Sequence, residues 1–336
     1  MKINKNIISK SLVISKNKDK KYFIKVENFE IEAINDGDVL IKTAYSSLNY
    51  KDILLCSGNP GLVRRYPHIP GIDAAGTIIE SKCRKFKTGD KVIIVARSMG
   101  VSCFGGLSEY IKIPSNLIEN LPLRISFKDS MIYGTAGFTA MMAVLKLLGK
   151  KTIKKDFPVL VTGSTGGVGS LVIYILKKYD FKIIAATSTL KNKNYLKKVG
   201  ADEVITYTDL KESKNLPLLK EKYSGVIDTL GLESISSCLK QIKKGGKLIV
   251  IGNVSSENIN ISLMPLILRG ISIIGVNAES ANIFERKKIW SYLAKINNSK
   301  KLVSLYKEIG LNDANKYIKK IRENKHHGRV IVNLKS

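Results

Sequence analysis

The stretch Pro158-Val159-Leu160-Val161-Thr162-Gly163-Ser164-Thr165-Gly166-Gly167-Val168-Gly169-Ser170 limits the possible folds of this chain more than any other. Apolar and β-branched residues run into a glycine cluster, and the apolar segment Leu171 to Leu176 follows. This reads as a buried parallel strand, a tight turn and the start of a helix. Gly163 lets the chain turn out of the strand. Gly166 and Gly167 remove side chains where an anion must approach the backbone, and Gly169 lets the helix pack close to the strand. Backbone N–H groups and the positive end of the helix dipole then suit a pyrophosphate. In register with G-x-G-x-x-G, Ser164 stands at the first glycine position and Gly163 comes one residue early. A glycine-rich loop that holds no nucleotide explains the same residues, so the rest of the chain must decide.

From Pro158 onward strands and helices alternate. Strand 158–162 leads to helix 167–179, strand 182–187 and helix 191–199, which Gly200 ends. Strands at 203–205, 225–228 and 247–251 follow, and Ile271 to Val276 forms one more at a sheet edge. That rhythm predicts an α/β fold with a doubly wound parallel sheet. Before it, residues 1 to about 125 carry strand patterns at Lys21–Val26, Val39–Ala44, Gly71–Ile79, Lys91–Val95 and Leu107–Ile113, with few helices. They predict a small, partly open β-barrel domain. Ser126-x-x-Asp129 reads as a capping box. Gly134 to Ala140 breaks a first short helix and starts a longer one, and its small residues, Thr135 among them, leave room for a ligand or for another backbone. The last 55 residues read as helices and a final strand, Arg329 to Leu334, that returns to the first domain. The expected domains are 1–125 with 280–336, and 126–279.

The net charge of +28 raises nucleic acid or an anionic substrate as a partner. Yet 47 of the 56 basic residues are lysine, scattered through both halves amid abundant Ile and Asn. AT-rich codons explain that mixture, and no basic tail or aromatic-interleaved stripe argues for RNA. The start, Met1-Lys2-Ile3-Asn4-Lys5, has no signal-peptide core, and no 18-residue apolar run appears, so a cytoplasmic protein off the membrane is expected. Cys56, Cys83, Cys103 and Cys238 form no C-x-x-C and read as reduced thiols. Among the three histidines, the adjacent His326 and His327 cannot both point inward from one regular strand. A metal site is not expected.

The second strand of the predicted sheet ends at Ala186-Thr187-Ser188-Thr189, where an NAD-preferring site places Asp or Glu against the ribose 2′-hydroxyl. No carboxylate stands there. Small hydroxyls with Lys191 and Lys193 suit a 2′-phosphate, which favours NADPH. A solvated helix face explains the two lysines equally, but not the missing carboxylate.

A β-rich domain before this sheet, Asn49-Tyr50-Lys51-Asp52, Pro70 to Gly76, Gly105-Gly106-Leu107-Ser108-Glu109-Tyr110 and Gly134 to Ala140 together resemble a zinc-independent medium-chain dehydrogenase/reductase. The chain is most similar to the acryloyl-CoA reductase branch of the quinone-oxidoreductase-like proteins, through Met264-Pro265-Leu266-Ile267-Leu268-Arg269, Gly275-Val276 and Gly328-Arg329. Zinc-dependent relatives carry Gly-His-Glu where this chain has Gly71-Ile72-Asp73. The resemblance implies a GroES-like domain beside a Rossmann domain, and a homodimer formed through the edge strand. It implies cofactor contacts at Tyr50, at Thr165, Gly166, Gly167 and Val168, and at Thr187, Ser188 and Thr189. Asn253, Ile267 and Ala278 fall where the family lines the nicotinamide half, with a tail contact near Asn324. The branch's usual arginine is Thr189 here, so Lys191 or Lys193 must compensate.

The expected reaction is reduction of the double bond of a short α,β-unsaturated acyl-CoA by NADPH, with hydride delivered to the β-carbon. Tyr50 is the candidate for placing the nicotinamide or relaying a proton, though packing between domains explains it too. Arg64 and Arg65, before Tyr66-Pro67, suit CoA phosphates or simply a solvated loop. An NADPH:quinone or enone reductase, and an NADPH-binding RNA-associated protein, are the competing readings.

Overall fold

The computed structural model describes residues 6–335 except 20, 59–60, 64, 150–154, 212–215, 232, 257 and 259. Its strands, in chain order, are β1 (Ile7–Lys16), β2 (Tyr22–Ile31), β3 (Asp38–Leu48), β4 (Ala74–Ser81), β5 (Lys91–Ile94), β6 (Tyr110–Pro114), β7 (Glu119–Asn120), β8 (Val159–Val161), β9 (Ile183–Thr187), β10 (Glu203–Thr206), β11 (Tyr223–Asp228), β12 (Ile242–Val250), β13 (Ser272–Gly275), β14 (Tyr306–Gly310) and β15 (Arg329–Asn333). Its α-helices are α1 (Tyr50–Cys56), α2 (Phe127–Leu148), α3 (Gly167–Lys178), α4 (Lys193–Val199), α5 (Ile235–Leu239), α6 (Met264–Arg269), α7 (Ile283–Ile296), α8 (Ser299–Leu302) and α9 (Ala314–Arg322).

Two compact units result, 1–135 with 297–336, and 136–296. Both divisions fall later in the chain than residues 125 and 279. Gly134 explains the first: its backbone (φ 49°, ψ −155°) interrupts α2 at the point where the small residues were expected to break it. Trp290 and Arg286 explain the second, because α7 packs them against the Phe138 ring, at 6.1 Å and 4.6 Å. Helix α2 is long and apolar enough to cross a membrane by length and composition, and 78% of its most apolar stretch is buried inside the protein.

In the first unit β3 is the hub. It pairs antiparallel with β4, β6 and β15, so the final strand does return to the first part of the chain. The path runs β14-β15-β3-β4-β5-β7. Strand β1, paired antiparallel with β2, was not among the expected strands. Ser9 and Ser11 interrupt its apolar run, yet both are fully buried, their hydroxyls 2.7 and 2.6 Å from Ser108 Oγ. The two adjacent histidines lie in the loop before β15 rather than on a strand, their rings stacked at 6.0 Å.

The second unit is a parallel sheet in the order β10-β9-β8-β11-β12-β13, with β13 at one edge. The chain reverses direction across the sheet between β10 and β11, which flank the β9-β8 pair. In such sheets ligands bind beyond the carboxyl ends of the strands at that switch point.

Candidate active site

In the second unit, β8 leads into Gly163, which is left-handed (φ 58°). A Cβ at Gly163 would collide with Thr229 Oγ1, and one at Gly169 with the Gly163 carbonyl. Gly166 caps α3 without any side-chain acceptor, so the N–H groups of the first helical turn face outward unsatisfied by a cap. That is the cradle an anion requires. Thr165, Gly166, Gly167 and Val168 form this turn, and Thr187, Ser188 and Thr189 close the neighbouring strand β9. The two groups therefore stand side by side at the carboxyl edge of the sheet.

Gly169→Ala is expected to cost about 1–3 kcal/mol by overpacking against backbone that cannot yield. It should lower the urea midpoint and weaken dinucleotide binding together. Gly166→Ala, whose nearest neighbour would be 3.3 Å away, should leave the midpoint within experimental error. Equal effects of the two changes would refute this account of the turn.

Thr187 is buried and its Oγ1 has no hydrogen-bond partner among the described residues. Ser188 is exposed, and Thr189 Oγ1 accepts from the Lys191 N–H at 3.3 Å. Asp209, three residues past the end of the next strand β10, is turned back onto the Thr206 N–H and hydroxyl, both at 2.7 Å. Tyr207 was not singled out from the sequence. Its N–H donates to the Thr187 carbonyl at 3.1 Å, and its hydroxyl meets the Gly163 backbone, with burial pushing the phenol up to about 12. It ties the ends of β8 and β9 together. Asp228, at the end of β11, accepts from Thr162 Oγ1 at 2.5 Å and Gly231 N at 2.8 Å, and burial raises its pKa. Asn253 is exposed after β12, Ala278 is buried after β13, and Ile267 is 70% exposed on α6.

The first unit contributes Tyr50, the first residue of α1 and 48% exposed. Beneath it lies a buried ionic knot that sequence reasoning missed. Asn49 Nδ2 donates to Asp73 Oδ2 at 2.8 Å, and Arg329 donates to Asn49 Oδ1 at 3.1 Å. Arg329 also donates to the carbonyls of Ile132 and Leu48 and to Ser47 Oγ, and lies 3.6 Å from Asp73. Asp52 accepts from the N–H groups of Asn49, Gly71 and Ile72 at 2.8, 3.0 and 3.0 Å. Burial, with Asp73 nearby, pushes its carboxyl up to about 7. Protonated Asp52 therefore stabilises the fold fully below the ordinary carboxylate range, and that contribution is lost as pH rises through about 7.

Thr135, at the stretch expected to leave room for a ligand or for another backbone, clamps the knot. Its hydroxyl donates to Asp73 Oδ1 at 2.5 Å, its N–H to Oδ2 at 2.9 Å, and it accepts from Ala96 N at 2.7 Å. Asn324 closes α9 with a left-handed backbone (φ 54°). Arg65 is exposed at the rim of a cavity within this unit, while Arg64 lies outside the described residues. These residues do not fit a zinc ion. Asp73 is enclosed by N–H and O–H donors and an arginine, its neighbour Ile72 offers no ligand atom, and no three His, Cys, Asp or Glu side chains converge among the described residues.

Residues 35–123 match the alcohol dehydrogenase GroES-like domain, and residues 167–292 the zinc-binding dehydrogenase family. The chain is 31% identical to the acrylyl-CoA reductase AcuI of Ruegeria pomeroyi, over 96% of this chain and 98% of that protein. It is 36% identical to YhfP of Bacillus subtilis, named among quinone oxidoreductases, over 93% of this chain and 94% of that one. The structure of YhfP with NAD bound superposes with a TM-score of 0.90, covering 97% of this chain and 99% of that one. The Salmonella enterica oxidoreductase YhdH, solved with NADP, gives 0.90 at 32% identity, covering 96% and 99%. The chain therefore belongs to the medium-chain dehydrogenase/reductase family of oxidoreductases, among its quinone-oxidoreductase-like members.

Proposed function

We propose that this protein reduces the carbon–carbon double bond of a short α,β-unsaturated acyl-CoA with NADPH. The observation that carries the reading is Tyr50, nearly half exposed on a helix whose cap is locked by buried charges, in a unit where no three metal-ligating side chains converge among the described residues. The names of the relatives, one an acrylyl-CoA reductase and one solved with NADP, support it.

NADPH supplies a hydride for the β-carbon of the thioester. Thr165 to Val168 hold the pyrophosphate through backbone N–H groups. Thr187, Ser188 and Thr189, with Lys191 or Lys193, take the 2′-phosphate. Asn253, Ile267 and Ala278 line the nicotinamide half, and Asn324 makes a tail contact. The enolate formed on the substrate needs hydrogen-bond donors at its oxygen and a proton at the α-carbon. The Tyr50 hydroxyl holds or relays that proton, and the knot beneath Asn49 keeps it in place. A quinone or simple enone as acceptor is the second reading, favoured by the name of the 36% identical relative. The test is kcat/KM with NADPH for acryloyl-CoA, crotonoyl-CoA and a simple quinone. The thioesters should lead by at least about tenfold, or 1.4 kcal/mol; a lead for the quinone overturns the assignment in favour of the second reading.

The cytoplasm is the compartment we infer for it. We also infer a homodimer in which β13 pairs with its copy. Ser272 and Ile273 are exposed on this edge, and an unpaired apolar edge invites a second strand. Light scattering at micromolar concentration should give twice the 37.2 kDa chain mass, and a monomer there refutes it.

A further inference from the structure

Within the first unit lies a cavity of about 980 Å³ to which no role has been given. The Phe29 and Phe104 rings, edge to face at 5.2 Å, form one wall. Leu62 and Val101 form another, packed on the cluster that holds Ile53, Leu55 and Cys56 of α1. At one side Lys112 is held by Glu32 at 3.6 Å and Asp38 at 4.0 Å, so its charge is taken up by two carboxylates and that side, net negative by one, does not attract a phosphate. Arg65 differs. It is exposed on the rim, and among the described residues no hydrogen bond or ion pair engages its guanidinium.

Volume and charge together select an occupant. Pockets for drug-sized ligands run to about 1,000 Å³, far more than a three- or four-carbon acyl group fills. A simple quinone leaves most of the space empty and gives Arg65 nothing to bind. Apolar and aromatic walls beside one free guanidinium suit a long amphipathic arm that ends in a phosphoryl group, which a guanidinium grips through two parallel N–H bonds. The helix that begins with Tyr50 also borders the cavity, since Ile53, Leu55 and Cys56 of α1 belong to the core cluster on which the cavity residues Leu62 and Val101 pack. We propose that this cavity receives the phosphorylated pantetheine carrier of the substrate, with Arg65 on its phosphates. The inference rests on the acyl-CoA reading above and turns it into a statement about recognition at a distance from the reacting bond.

Calorimetry with free coenzyme A, which undergoes no turnover, tests the cavity separately from the reaction. Wild-type protein should bind coenzyme A, and Arg65→Glu should weaken it tenfold or more, whereas pantetheine, lacking phosphate, should not respond to the change of charge. Ser102→Trp, at an exposed position on the cavity wall, should weaken both. In turnover, Arg65→Glu should lower kcat/KM for crotonoyl-CoA tenfold relative to the crotonyl thioester of N-acetylcysteamine. Coenzyme A binding that is undetectable in wild type, or unchanged in both variants, overturns the proposal even if acyl-CoA is reduced. Arg65-dependent binding without acyl-CoA reduction upholds the cavity and overturns the reaction instead.

Discussion

Arg329→Met is expected to lower the stability of the protein by about 3–5 kcal/mol, because it leaves a buried charge without its partner. Asp52 and Asp73 are both fully buried, and Arg329, 2% exposed, is the cation that both carboxylates act upon. The change also removes donors from two carbonyls, from Ser47 and from Asn49. Urea unfolding followed by circular dichroism gives the number. A loss below about 1 kcal/mol, the scale of an exposed pair, would show that the knot contributes little. Combining the change with Asp73→Asn completes a double-mutant cycle, and the pair should be less damaging than the sum of the single changes. Arg329→Lys should recover only part of the loss, since an ammonium cannot reach four acceptors as a planar fork does. If Tyr50 holds the proton as proposed, kcat should fall alongside, because Asn49 loses its contact with Arg329 at the cap of the helix that Tyr50 begins.

Ser188→Asp is expected to erode a preference for NADPH that in the wild type reaches at least about tenfold. A charge-assisted hydrogen bond to the 2′-phosphate is worth roughly 1.5–3 kcal/mol, and a factor of ten is about 1.4 kcal/mol. Ser188 is exposed at the end of β9, and the nearby Asp209 is committed to Thr206, so no carboxylate opposes the phosphate. A lysine supplies a point charge where the branch's arginine would supply a fork, which favours a moderate preference over a very large one. Aspartate at 188 repels the 2′-phosphate and offers the ribose of NADH a partner. The comparison is kcat/KM for both cofactors in both proteins. Equal use of NADH and NADPH by the wild type refutes the assignment.

The strand, turn and helix around Gly163 were legible because much of their cause is local: the apolar spacing, the left-handed φ of Gly163 and the close approach of Gly169 to the Gly163 carbonyl all lie within thirteen residues. The break at Gly134 was legible for the same reason. Strand β1 was not, because its buried serines are satisfied by Ser108, far along the chain. The knot was illegible too. Asp52, Asp73 and Arg329 each stand in a motif that carried the family resemblance, but those motifs are far apart in sequence, and only the return of β15 beside β3 brings Arg329 to the two carboxylates. At Thr135 the sequence left a ligand or a close backbone open, and it gave no sign that the hydroxyl is a structural donor to Asp73.

The place of β15 between β14 and β3 also sets a schedule for synthesis. The second unit is one continuous segment, so it can fold as soon as it has emerged. The first unit must wait, because its sheet stays open along β3 until Arg329 arrives about 200 residues after Thr135, roughly 10–40 s at ordinary elongation rates. Through that interval the backbone of Tyr45 to Leu48 lacks its ladder partner, and Asp73 lacks its cation. A ribosome that stalls before residue 329 therefore releases a chain with a finished nucleotide-binding half and an open, aggregation-prone β edge.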